Sequence, residues 1–169
     1  MTRNQFAPSS RLAAWPARPD ASPSLARRRR NPAVVTDVLS VGDNATLHVY
    51  LSDLFQRLRW VVGYDMSFGE ALHSIRHTPT AVIVCEEHLP DGSWRSWVNK
   101  LRSVPDAPEL IVVGDDRSLR SEVLELGGFD TLMRPLREAD VVWAVASAWH
   151  QWRKRFEDQG DGGPPCSAA

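Results

Sequence analysis

Long apolar runs are missing from this sequence. Nowhere in its 169 residues does such a run approach the roughly eighteen residues that a membrane-spanning helix requires. A secretory signal peptide also fits poorly, because the apolar stretch that follows an early arginine run is interrupted by Asp37 and Asp43. The sequence therefore predicts no membrane association and a cytoplasmic location.

Cysteine is scarce as well, since only Cys85 and Cys166 are present. Cys85 lies at the end of a presumed core strand and Cys166 lies near the C-terminus, so the pair predicts neither a disulfide framework nor a metal site. A glycine-rich phosphate loop, Cys/His metal-ligand spacing and a recognisable Ser-His-Asp arrangement are also absent from the sequence. We therefore expect no enzymatic activity, no cofactor and no bound metal.

Positive charge and proline are concentrated at the N-terminus. Residues 1–30 contain seven arginines and one acidic residue, a net charge of +6, which leaves −7 for the remainder because the whole chain carries −1. Residues 1–32 also contain five prolines and no hydrophobic periodicity, so they are predicted to form a disordered tail. The alternative to a solvated tail is contact with nucleic acid or an acidic partner through its densest positive run, Arg27, Arg28, Arg29 and Arg30.

From Val34 the pattern changes to alternating strands and helices. Five short runs rich in Val, Ile and Leu predict strands, and apolar residues at three- and four-residue spacing between them predict helices. The strands are expected near residues 34–41, 60–64, 80–86, 110–113 and 129–133, and the last helix near residues 138–156. This alternation predicts a doubly wound α/β domain over residues 33–157, with a five-stranded parallel sheet and five helices, followed by a flexible tail over residues 158–169.

The strand at residues 80–86 is predicted to lie at the centre of the sheet. It ends in two acidic residues and leads into a tight Leu-Pro-Asp-Gly turn. Ligands of open parallel sheets sit in the crevice at the carboxyl ends of the strands. Glu86 and Glu87 are therefore the first candidates for function.

Four short phrases, in this order and at matching spacing, resemble the receiver domain of bacterial response regulators over about residues 35–155. The resemblance implies a flavodoxin-like fold with strand order 2-1-3-4-5, and a cis peptide bond between Arg134 and Pro135. The phrases are Gly69-Glu70-Ala71-Leu72, Leu89-Pro90-Asp91-Gly92, Leu126-Gly127-Gly128-Phe129-Asp130 and Met133-Arg134-Pro135-Leu136.

The resemblance also implies a phosphate-accepting pocket, but its residues are altered in this chain. Glu86 stands where the family has its phosphate-accepting aspartate and reaches about one methylene farther, while Gly114 replaces the hydroxyl residue that senses phosphorylation. We therefore expect a degenerate receiver that phosphate does not switch. Of the other family positions, the Mg²⁺-holding acidic pair falls on Gly42 and Asp43, the aromatic switch residue on Thr131, and the lysine before the last proline on Arg134.

The same residues offer a different use. Arginine can hold a carboxylate through two hydrogen bonds, so Glu86 and Arg134 are expected to form a fixed ion pair at the strand ends. The alternative is that Glu86 simply caps a solvent-facing loop, since surface ion pairs are often worth less than about 1 kcal/mol.

The predicted function is that of a stand-alone degenerate receiver in two-component or phosphorelay signal transduction, acting as a phosphorylation-independent protein interaction module. The resemblance implies that the last helix, with the fourth helix and fifth strand, contacts a kinase, an effector or a second copy of the chain. Two further hypotheses stay open: a receiver phosphorylated at a shifted acid, Asp43 or Glu87, and a nucleic-acid-associated protein acting through the arginine tail. The candidate interface residues are Trp143, Trp149 and Trp152, with core packing as the alternative for each.

Overall fold

The computed structural model describes residues 35–158. The predicted tail at residues 1–32 and its arginine run lie outside the described residues, as does the predicted tail at 158–169 apart from its first residue. That residue, Asp158, is the last residue of the final helix, one position beyond the predicted domain end at 157. None of the helices between residues 35 and 158 is long and apolar enough to cross a membrane.

Five parallel strands form one sheet in the predicted order 2-1-3-4-5. The second strand begins at Val62 and not at Trp60, because the Val61 amide donates to the buried Asp37 carboxylate at 2.8 Å instead of joining the ladder. The strands are β1 (Thr36–Val41), β2 (Val62–Asp65), β3 (Thr80–Glu86), β4 (Glu109–Gly114) and β5 (Asp130–Met133).

Helices cover both faces of the sheet. One core cluster joins the sheet to the first and last helices, and a second cluster joins the opposite face to the three helices between them. The continuous apolar runs of β3 and β4 follow from this double burial, since neither face of a central strand meets water. The helices are α1 (Ala45–Arg57), α2 (Phe68–His77), α3 (Trp94–Arg102), α4 (Leu119–Leu126) and α5 (Glu138–Asp158).

The turn after β3 is fastened to the start of α2. The two carboxylate oxygens of Asp91 accept hydrogen bonds from the amides of Phe68 and Gly69, at 3.1 and 2.9 Å. The Ser67 hydroxyl accepts a third from the Glu70 amide at 3.3 Å. A carboxylate at this position satisfies helix N–H groups that have no partner within the helix and favours the positive end of the helix dipole. Asp91 therefore holds the loop that follows Glu86 in one place.

Trp149 and Trp152 are core residues, which corrects the expectation that they anchor an interface. They are 6% and 5% exposed, because the apolar stripe of α5 faces the sheet. The indole N–H of Trp149 donates to the buried carboxylate of Asp37 at 3.0 Å, and that of Trp152 donates to the Asp106 carbonyl at 2.9 Å. The alternative of core packing therefore holds for both residues.

Candidate functional site

The carboxyl ends of the strands bring the predicted pocket residues together around Glu86, the last residue of β3. One oxygen of its carboxylate, Oε1, accepts a hydrogen bond from Asn44 Nδ2 at 2.9 Å and a second from Arg134 Nη2. The other guanidinium nitrogen, Arg134 Nη1, lies 3.6 Å from Asp115 Oδ2. The predicted ion pair between Glu86 and Arg134 is thus confirmed, and with the two side chains 15% and 34% exposed it is partly buried.

The two residues that the resemblance assigns to the acidic pair, Gly42 and Asp43, directly follow β1. Gly42 is buried with φ of +141°, a conformation that L side chains rarely adopt, and a Cβ there would stand 3.7 Å from Glu86 Oε2. Asp43 is exposed. The backbone at Gly42 therefore approaches Glu86 closely, in the place where the family would supply a carboxylate.

This arrangement does not fit the Mg²⁺ ion that the resemblance implies. Mg²⁺ needs carboxylate oxygens and waters in near-octahedral geometry. Gly42 supplies no carboxylate, and that of Glu86 already faces the guanidinium of Arg134, whose positive charge would repel a divalent ion. Within residues 35–158, no three His, Cys, Asp or Glu side chains are grouped so that they could hold a metal ion.

Gly114 is the last residue of β4, and the side chain of a neighbouring residue occupies the space where a Cβ would stand. A Cβ built on Gly114 would overlap the Cδ2 atom of Leu119, the first residue of α4, which is 2% exposed. The position where the family carries a sensing hydroxyl is therefore filled by an apolar side chain. A hydroxyl residue here would have to displace Leu119 before it could turn toward the pocket.

Two arginines of α3 bind α4, one near its middle and one at its C-terminal end. Arg95 donates from Nε and Nη2 to both carboxylate oxygens of Glu122, and its Nη2 also lies 3.4 Å from Glu87 Oε1. Arg102 Nη2 donates to the Leu126 carbonyl at 2.7 Å, in the last turn of α4. Hydrogen bonding to Arg95 lowers the pKa of Glu122, and the same contact raises the pKa of Arg95. Through Arg95, the pocket residue Glu87 is connected to α4.

The outer face of α4, β5 and α5 carries Trp143, which is 56% exposed. Trp143 lines a shallow pocket of about 260 Å³, together with Thr131, Leu136 and Arg137. Thr131, at the family's aromatic switch position, is half-buried on β5 and has no ring that could rotate into or out of the sheet edge. Of the three predicted interface tryptophans, Trp143 is therefore the one that the fold leaves accessible.

Cys85 offers no reactive group beside the pocket. It is fully buried in β3, and burial raises the pKa of its thiol far above its ordinary value, so the thiolate that would be needed for nucleophilic or redox chemistry does not form.

The peptide bond between Arg134 and Pro135 is cis, as the resemblance implies.

Comparisons with known proteins bear on the fold. No protein-family model matches the chain, and no curated protein matches its sequence. The signal receiver domain of an HD-domain-containing protein from Pseudomonas fluorescens Pf-5 superposes with a TM-score of 0.64 at 18% identity, covering 76% of this chain and 98% of that one. A response regulator receiver domain protein from Methanospirillum hungatei JF-1 gives 0.63 at 16% identity, with 72% and 99% covered. This chain has the receiver fold.

A third solved structure extends the comparison to an activated form of the receiver fold. The beryllofluoride-activated NtrC4 receiver domain dimer superposes with a TM-score of 0.61 at 20% identity, covering 68% of this chain and 97% of that one. These likenesses establish the fold of residues 35–158. The chemistry of the pocket depends on the side chains of this chain.

Three residues that shape this version of the receiver fold were not predicted as site residues. Asn44 caps α1 by accepting a hydrogen bond from the Leu47 amide at 3.1 Å, and its amide group also donates to Glu86. Leu119 and Arg95 lie on neighbouring helices, and the sequence does not show which residues of other elements they contact. Glu87 was the one sequence feature that could have suggested an arginine partner such as Arg95.

Proposed function

We propose that this chain is a receiver-fold module that acts in signal transduction through protein contacts that do not depend on phosphorylation. The observation that carries the proposal is the ion pair of Glu86, whose Oε1 atom accepts hydrogen bonds from both Asn44 and Arg134. Phosphoryl transfer to a carboxylate needs a cation that neutralises the incoming phosphoryl oxygens. Here the fixed cation, Arg134, neutralises the would-be nucleophile itself.

The fixed position of α4 supports the same proposal. A modification can shift a two-state equilibrium only as far as it interacts differently with the two states. Leu119 fills the sensing position at Gly114, and Arg95 and Arg102 bind α4 near its middle and at its end. Moving α4 would require giving up all three contacts, with no phosphoryl group to replace them. One conformation, presented permanently, suits a constitutive interaction module.

The face around Trp143 is the proposed contact surface. Tryptophan is enriched among residues that dominate binding energy, and Arg120 of α4 lines the same pocket as the exposed Trp143. The partner class is a signalling protein, either a kinase or effector or a second copy of this chain. The dimer formed by the NtrC4 receiver domain supports the second copy as the first partner to examine.

The experiment starts with the purified full-length chain. Its mass in solution is measured across a concentration series, and its partners in native cytosol are captured and identified by mass spectrometry, with and without a phosphodonor. Trp143→Ala should abolish the dimer or the capture of a reproducible partner. Val49→Ala is the matched control, because Val49 is a comparably exposed apolar residue on α1 that does not line the Trp143 pocket.

The two other hypotheses give distinguishable results in that experiment. Partners captured only after phosphodonor treatment would favour phosphorylation at a shifted acid such as Asp43 or Glu87, and would overturn the proposal. Capture that survives Trp143→Ala but is lost when residues 27–30 are neutralised would favour action through the arginine run.

A further inference from the structure

Two histidines stand one helical turn apart on the exposed surface of α2, away from the pocket described above. His73 and His77 are both exposed, and the centroids of their imidazole rings lie 4.6 Å apart. Residues at positions i and i+4 lie on the same face of a helix. The same spacing lets two histidines of one helix hold a zinc ion in metalloproteases.

The separation of the two rings is that of two ligands on one metal ion. A metal–nitrogen bond of about 2.0–2.1 Å, plus about 1.1 Å from the nitrogen to the ring centre, puts each centroid about 3.2 Å from a shared ion. Two centroids 4.6 Å apart then subtend roughly 90° at that ion, the angle between neighbouring positions of an octahedral or square-planar site. A small rotation of either ring opens this angle toward the tetrahedral value.

The surroundings of the pair suit a cation. Both histidines line an open pocket of about 420 Å³ between α2 and the edge strand β2, and Asp65 lines the same pocket. The Oδ2 atom of Asp65 is buried and has no hydrogen-bond partner among the described residues, so this carboxylate is left partly unsatisfied. Arg76 lies between the histidines in sequence and does not line this pocket, although it lines a second pocket together with His77.

We propose that His73 and His77 form a surface site for a divalent transition-metal ion such as Zn²⁺, Ni²⁺ or Cu²⁺. Imidazole nitrogen selects these ions over Mg²⁺ and Ca²⁺, which require oxygen ligands. Since no group of three candidate ligands is preassembled within residues 35–158, water or a partner's side chain completes the coordination, and the ion exchanges readily. Bound metal clamps the last turn of α2 and stabilises the folded chain by mass action.

The test uses the full-length chain without a histidine tag. Zn²⁺ is titrated calorimetrically, and Cu²⁺ is titrated against the amide resonances, because this paramagnetic ion broadens signals near its site. The variants are His73→Gln, His77→Gln and the double substitution. His150→Gln is the control, since His150 is exposed on α5 with no histidine one turn away. Mg²⁺ at the same concentration is the control ion.

The expected result is one Zn²⁺ bound per chain, with affinity reduced about tenfold or more in each single variant and unchanged in His150→Gln. Cu²⁺ broadening should centre on α2, and Asp65→Asn should weaken binding less than either histidine substitution. Zn²⁺ binding that persists in the double variant, or an absence of binding up to about 1 mM, would overturn the proposal. Because these positions are exposed, circular dichroism of each variant should match the parent.

Discussion

The side chain of Leu119 occupies the space in which a side chain at Gly114 would stand. These two residues join the end of β4 to the start of α4, and Leu119 is almost completely buried there. The absence of a side chain at position 114 therefore leaves room for Leu119, which packs the start of α4 against the end of β4. The constraint on Gly114 comes from this contact and not from its backbone conformation.

Restoring a hydroxyl at position 114 should destabilise the fold. Gly114→Thr overpacks the site against Leu119, and overpacking typically costs about 1–3 kcal/mol. Denaturant unfolding measures the loss. Leu119→Ala alone should cost about 2–5 kcal/mol through the cavity it leaves. Combined, the two substitutions should cost less than their sum, because the threonine fills part of that cavity. Strict additivity would mean that Leu119 does not fill the site.

The ion pair between Glu86 and Arg134 should show as a coupling energy in a double-mutant cycle. Arg134→Ala removes the guanidinium and leaves the partly buried carboxylate with Asn44, and charged hydrogen bonds of this kind are worth about 1.5–3 kcal/mol. Arg134→Lys should lose less, because the charge stays. The cycle uses Arg134→Ala, Glu86→Gln and the double variant in urea unfolding. A coupling energy near zero would show that Arg134 acts through packing alone.

Hydrophobic spacing was enough to predict the five strands and five helices, because the strands are continuous apolar runs and each helix buries a single stripe. The strand order came from the resemblance, and the meeting of Glu86 with Arg134 followed from both residues standing at carboxyl ends of strands in one sheet.

The remaining contacts depend on rotations and rotamers that a linear pattern does not determine. Arg95 meets Glu122, 27 positions away, only because α3 and α4 pack with these faces together. Trp149 and Trp152 belonged to an apolar stripe that predicted core packing, and they were candidates for an interface only because tryptophan is enriched at binding sites. Their buried indole N–H groups found partners at Asp37 and Asp106, which are distant in sequence.

The contact between α3 and α4 should make part of the free energy of unfolding depend on pH. Arg95 lowers the pKa of Glu122 in the folded chain, so this contact contributes fully above the ordinary carboxyl pKa of about 4.3 and is lost as the pH falls through the folded value. Glu122→Gln should therefore be less stable than the parent at neutral pH, and the difference should shrink in acid. Denaturant midpoints from neutral pH down to about pH 3 measure it.

A matched control for this pH series is Glu125→Gln, an exposed glutamate on the same helix. Its difference from the parent should stay nearly constant with pH. If the Glu122→Gln difference is equally flat, the Arg95 contact contributes through geometry and not through charge.

Independence from phosphorylation is tested by the intact mass of the full-length chain after incubation with acetyl phosphate and Mg²⁺. A receiver domain that carries the acceptor aspartate is treated in parallel to show that the reagent is active. Because the Glu86 carboxylate is bound to Arg134 and Asn44 and Gly42 supplies no second carboxylate for Mg²⁺, we expect no added mass and unchanged hydrogen exchange in α4. A stable gain of about 80 daltons, the mass of one phosphoryl group, on Asp43, Glu86 or Glu87 would contradict it.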